Sequence, residues 1–129
     1  IGKAKKEHIE MYKICLESLK ACENKLREDY TAGDVFEEYK KIIDKTKYKT
    51  ARLNACGYSL GTTFSPNWMD WPMLYKNNPI IIKKNQVFFL HMILMDTNTQ
   101  TAMNLGETYI VKENGCERLG SQSLDLIIG

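Results

Sequence analysis

No stretch of this 129-residue chain is apolar for long enough to cross a bilayer. The longest apolar run, Val87 to Met95, is about half of what a crossing requires and holds His91. Charge of one sign is not in excess either: 18 basic residues face 16 acidic ones, a formal charge of +2, with both signs interspersed. Such a pattern is a solvated surface rather than a phosphate track, so neither a membrane nor a nucleic acid is expected as a partner. The densest basic stretch, Lys3, Lys5 and Lys6, is broken by Glu7 and reads as a helix start. There is no CxxC pair among the four cysteines. Cys15 and Cys22 sit two helical turns apart, roughly 10 Å, too far for a disulfide. Free thiols in a reducing compartment, the cytoplasm, are the reading. No serine has a histidine base at a recognisable spacing, which removes a serine nucleophile. With no signal-like opening, repeat, low-complexity tract or linker, residues 1–129 read as a single unit.

What is present divides in two. From Lys5 to Arg27, Ile9, Tyr12, Cys15, Leu16, Leu19, Cys22 and Leu26 recur at three- and four-residue steps, which predicts an amphipathic helix. Thr31 and Asp34 form an acidic capping box ahead of a second apolar stripe, Val35, Phe36, Tyr39, Ile42 and Ile43, and this helix should stop around Asp44 to Thr46. After Tyr48, Gly57, Gly61, Pro66, Pro72 and Pro79 break any helical period. Short strands are expected there: Ile80 to Lys83, the apolar run Gln86 to Met95, and Leu105 to Lys112 as its antiparallel neighbour across a polar Asp96 to Asn104 connection. A last hairpin should turn at Asn114-Gly115 and return to Leu119. Helices before strands make the class α+β, two long helices followed by an antiparallel sheet.

Three segments, in order, carry a family resemblance. Cys56-Gly57-Tyr58-Ser59-Leu60-Gly61 resembles a glycine-bracketed G-H-G-x-G segment, Asn85 to His91 resembles a G-M-x-F-x-x-E strand, and Gly106 to Leu119 resembles a closing hairpin that begins with a glutamate. Together they resemble the C-terminal half of the pita-bread enzymes, the fold of methionine aminopeptidase, Xaa-Pro dipeptidase (prolidase) and creatinase. Phe64 to Trp71 is similar to a segment of the ectoine-hydrolase-like branch. The resemblance implies an N-terminal half upstream, with two aspartates that this chain does not contain, and a two-metal site of Mn, Co or Zn completed by His, Glu and Glu. At those three positions stand Tyr58, His91 and Glu107, so two of three ligands are altered. His91 and Glu107 remain as metal ligands in this reading.

The function that the resemblance implies is hydrolysis of a small C–N bond, in an Xaa-Pro dipeptide or a similar compact molecule, by an intact chain larger than this one. His91 would shuttle protons, Tyr58 would orient the substrate, and Glu107 would bind its cationic or amide end. Trp68 and Asp70 are the expected substrate-binding residues, in a pocket whose aromatic lining suits a compact ring. The alternative, favoured by the two altered ligands, is an inactive relative that serves as a binding module. A homodimer is in keeping with the family, although no residue here points to it. An isolated half should also expose an apolar sheet face.

Overall fold

The computed structural model describes residues 3–127. Helix α1 spans Lys6–Lys25 and α2 spans Ala32–Ile43. Five strands follow: β1 Ala55–Ser59, β2 Asp70–Tyr75, β3 Val87–Asp96, β4 Thr101–Lys112 and β5 Gly115–Arg118. They form one antiparallel sheet in the order β2-β1-β3-β4-β5. The α+β reading and its two helices are what the structure contains.

The apolar stripe of α1 buries Met11, Cys15, Leu19 and Cys22, and that of α2 buries Val35, Phe36, Tyr39 and Ile43. Both pack on one face of the sheet, together with Phe88, Leu90, Met92 and Leu94 from β3 and Tyr109 and Val111 from β4. The predicted cap is present in full: the Thr31 hydroxyl accepts from the Asp34 amide at 3.1 Å, and the Asp34 carboxylate accepts from the Thr31 amide at 2.8 Å. Among the described residues the cysteines are free thiols, three of them buried. Burial pushes the Cys15 and Cys116 thiols up to about 12, and Cys56 is raised by its burial as well, so these three are not thiolate nucleophiles at neutral pH.

Side-chain alternation gives the sheet two distinct faces. On β3, Phe88, Leu90, Met92 and Leu94 turn to the helices, while Val87, Phe89, His91 and Ile93 are half-buried on the open side. Exposed Leu53, Trp68, Met69 and Trp71 lie on or beside that side.

Three predicted elements differ in detail. Ile80 to Lys83 is no strand, only an isolated bridge between Ile81 and Thr31, because its backbone bonds to Tyr30 and Ala32 at the start of α2 and not to the sheet. Strand β2, which is not among the strands expected from the sequence, forms despite Pro72 because it is an edge strand and proline there sacrifices little pairing. Finally, β3 and β4 pair all the way to Asp96 and Thr101, so the polar connection between them is shorter than expected.

Candidate functional site

The open face carries a groove of about 230 Å³, lined by Leu53, Ala55, Gly57, Tyr58, Trp68, Met69, Met73, His91 and Ile93. Local backbone irregularity puts Tyr58 there. The β1–β2 register shifts between Ala55 and Tyr58, a bulge that lets two residues three apart look into the same groove. Tyr58 then pairs with Phe89, and its ring meets the His91 ring edge-on with centroids 6.3 Å apart. Phe89 packs on His91 at 4.9 Å. From the loop before β2, the Trp68 indole N–H donates to the Tyr58 hydroxyl at 3.2 Å.

His91 is half-buried, and desolvation holds its imidazole below the ordinary histidine value; a hydrogen bond with Asn104 acts in the opposite direction. Near neutral pH the ring is therefore the uncharged base. Asn104 stands opposite Ile93 on the neighbouring strand and is not among the residues singled out from the sequence. Its signal was available: β4 alternates Met103, Leu105, Tyr109 and Val111 towards the core, which leaves the even positions for the open face.

The same alternation puts Glu107 on a different face from His91. Its partner across the ladder is Leu90, a core residue, whereas His91 pairs with Gly106. Glu107 thus lies on the helix-covered face, 14% exposed, with Arg118 Nη1 at 3.8 Å from its carboxylate. Its carboxylate lies on the other face of the sheet from His91. Opposite His91 there is no side chain at all, and a Cβ at Gly106 would overlap the tip of the Phe89 ring. Asp70 is not brought to the groove either; its carboxylate accepts from the Trp71 amide at 2.8 Å and lies against Gly61. The structure therefore unites Tyr58, His91 and Trp68 and separates them from Glu107 and Asp70.

A pair of hard divalent ions needs several shared carboxylates. The groove offers one imidazole and a phenol. Among the described residues no three His, Cys, Asp or Glu side chains come together. The donors that this chain contributes do not fit such a centre.

Two helices backing a five-stranded antiparallel sheet, with a polar pair in a groove on the open face, define a half-domain of the pita-bread type. The sequence matches metallopeptidase family M24 over residues 1–113, and the chain belongs to that family. No curated protein sequence matches it. Among solved structures it is similar to the X-Pro aminopeptidase of Thermotoga maritima, with a TM-score of 0.87 and 19% identity over 97% of this chain and 34% of that one. It is similar to the Xaa-Pro dipeptidase of Bacillus anthracis, with a TM-score of 0.88 and 16% identity over 98% of this chain and 34% of that one. The N-terminal domain of the FACT complex subunit SPT16 from chickpea also superposes, with a TM-score of 0.79 and 14% identity over 94% of this chain and 30% of that one. At these identities the likeness is one of fold. The chain spans about a third of the length of the solved relatives it matches. No described helix is long and apolar enough to cross a membrane.

Proposed function

We propose that the intact protein, with an N-terminal half upstream of these residues, hydrolyses a small C–N bond in a compact uncharged substrate. The supporting observation is the pairing of an uncharged imidazole with a phenol in one apolar groove. No Lys or Arg lines that groove, so a buried carboxylate would lack a counter-charge there, whereas a neutral carbonyl needs only a hydrogen bond. The Tyr58 hydroxyl donates to the carbonyl oxygen and stabilises the negative charge that develops on it. His91 takes a proton from the attacking water and returns it to the departing nitrogen. The oxygen of water bonds to the carbonyl carbon, the C–N bond breaks, and the amine leaves protonated. Glu107 has no part in these steps. An Xaa-Pro dipeptide, the substrate type in the printed names of the relatives, shares the reacting amide but carries two charged ends for which the groove lining holds no counter-charge. Cytoplasmic location and a homodimer belong to the same proposal.

Full-length protein assayed on Xaa-Pro dipeptides and simple compact amides, before and after chelation, tests the reading. Turnover that survives chelation and falls at least ~10²-fold in His91→Gln is the expected result. Loss of all turnover on chelation would sink it.

A second reading is a binding module without catalysis, favoured by the absence of any carboxylate from the groove lining. It predicts saturable binding of compact amides with no turnover under any condition.

A further inference from the structure

The open face of β4 has a gap beside His91. Asn104, Gly106 and Thr108 are the β4 positions that share this face with His91, and Gly106, the residue paired with it, has no side chain. Gly106 is not among the glycines at positive φ, so it supplies room here rather than backbone freedom.

That room is filled from β3. Phe89 pairs with Thr108, which makes Gly106 its diagonal neighbour, within reach of an aromatic ring. The ring leans there: a Cβ on Gly106 would lie 3.0 Å from Phe89 Cε2, 3.1 Å from Cε1 and closer still to Cζ. In that place the Phe89 ring stands 4.9 Å from the His91 ring and 5.6 Å from the Tyr58 ring, centroid to centroid. No residue of β4 lines the groove, and neither does Phe89. Phe89 thus fills the β4 side of His91, while the groove lies on the side of β1 and β2.

Without the Phe89 ring the imidazole would have two places to go. Side chains directly opposite in an antiparallel pair start about 5 Å apart, so the space over Gly106 is open to His91 as well as to Phe89. An imidazole turned over Gly106 would take its nitrogens out of the groove and away from Tyr58.

We propose that Phe89 is a positioning residue of the groove: by occupying the space over Gly106 it holds the His91 ring on the groove side, beside Tyr58. This role rests on the groove being the working site, and it names what keeps the base of that site in place. Phe89 acts through His91 rather than on substrate, because it stands outside the lining. Gly106 is the other half of the arrangement, since a side chain there would drive the Phe89 ring off its seat.

The test exchanges the filling of the gap and reads the result without turnover. Phe89→Ala empties the space over Gly106; Phe89→Ala combined with Gly106→Leu refills it from β4. In the full-length protein, with the His91 ring assigned through His91→Gln, nuclear Overhauser contacts should join the imidazole protons to the rings of Phe89 and Tyr58. In Phe89→Ala the contacts to Tyr58 should weaken, and contacts to the Gly106 α-protons should appear. The double variant should restore the contacts to Tyr58. Hydrolysis of a compact amide should follow the same order: kcat falls about tenfold or more in Phe89→Ala with KM less affected, and the double variant recovers most of the loss. Contacts between His91 and Tyr58 that are unchanged in Phe89→Ala overturn the proposal, and so does a double variant in which they stay lost. Where Phe89→Ala does not fold, Gly106→Ala decides from the other strand: the displaced Phe89 ring must disturb the contacts between His91 and Tyr58, and undisturbed contacts overturn the proposal. If the contacts move as described and wild type hydrolyses no amide, the hydrolase reading fails and the role of Phe89 stands.

Discussion

Replacing Glu107 by alanine separates its two readings. The carboxylate is 14% exposed on the helix-covered face, and its partner is Arg118, whose Nη1 lies 3.8 Å away and has no hydrogen bond of its own. At an effective dielectric near 20 the direct attraction is about 4 kcal/mol, and the cost of desolvating both groups offsets much of it. Removal leaves a partly buried guanidinium without its counter-charge, which costs about 1–3 kcal/mol. The net loss expected for Glu107→Ala is about 1–3 kcal/mol. In urea this appears as a lower unfolding midpoint at unchanged m-value, so it reports stability rather than a change of the unfolded state. Under native conditions the variant should bind compact amides as wild type does. Unchanged stability, together with loss of stoichiometric metal or of activity, would refute the reasoning and return Glu107 to the site.

Other substitutions probe the scaffold. A methyl group at Gly57 would overlap the Phe89 backbone oxygen, which cannot swing aside as a side chain can, so Gly57→Ala should cost about 1–3 kcal/mol and loosen β1 against β3; hydrogen exchange at the β1 amides reads this. Thr31→Ala removes the cap of α2 and should cost about 0.5–2 kcal/mol in chemical denaturation. The backbone and hydroxyl hydrogen bonds of Thr31 hold the Asp34 carboxyl below its usual range. The stability it supplies is present above the unfolded carboxyl pKa and is lost as pH falls through the lower folded value, so the variant should show a smaller acid-side loss. His91 acts in the same direction at higher pH: its folded value is depressed by burial, so the unfolded chain binds the proton more readily and stability falls as pH drops below about 6.5. His91→Gln should flatten that part of the stability profile.

Both helices were legible because their apolar spacing is set by one local period, and the cap by two residues three apart. Strand β3 was legible as an apolar run and the last turn as Asn114-Gly115. What local pattern did not give was register. A proline disguised β2, since only its place at the sheet edge makes Pro72 tolerable there. Glu107 was matched to a ligand by its neighbours in sequence, yet a single step along a strand changes the face. Leu105, Tyr109 and Val111 already marked the odd positions of β4 as core. Tyr58 and His91 were recognisable as altered positions, but their meeting depends on the bulge in β1 and on the β1–β3 register, which are properties of the folded sheet.

The central claim is that chemistry takes place in the carboxylate-free groove of the open face. A crystal structure of the full-length protein soaked with a compact amide tests it most directly. The expected result is a carbonyl oxygen within hydrogen-bonding distance of the Tyr58 hydroxyl and beside the His91 ring, with Glu107 still against Arg118. An amide or a metal ion held by Glu107 and His91 together would contradict it.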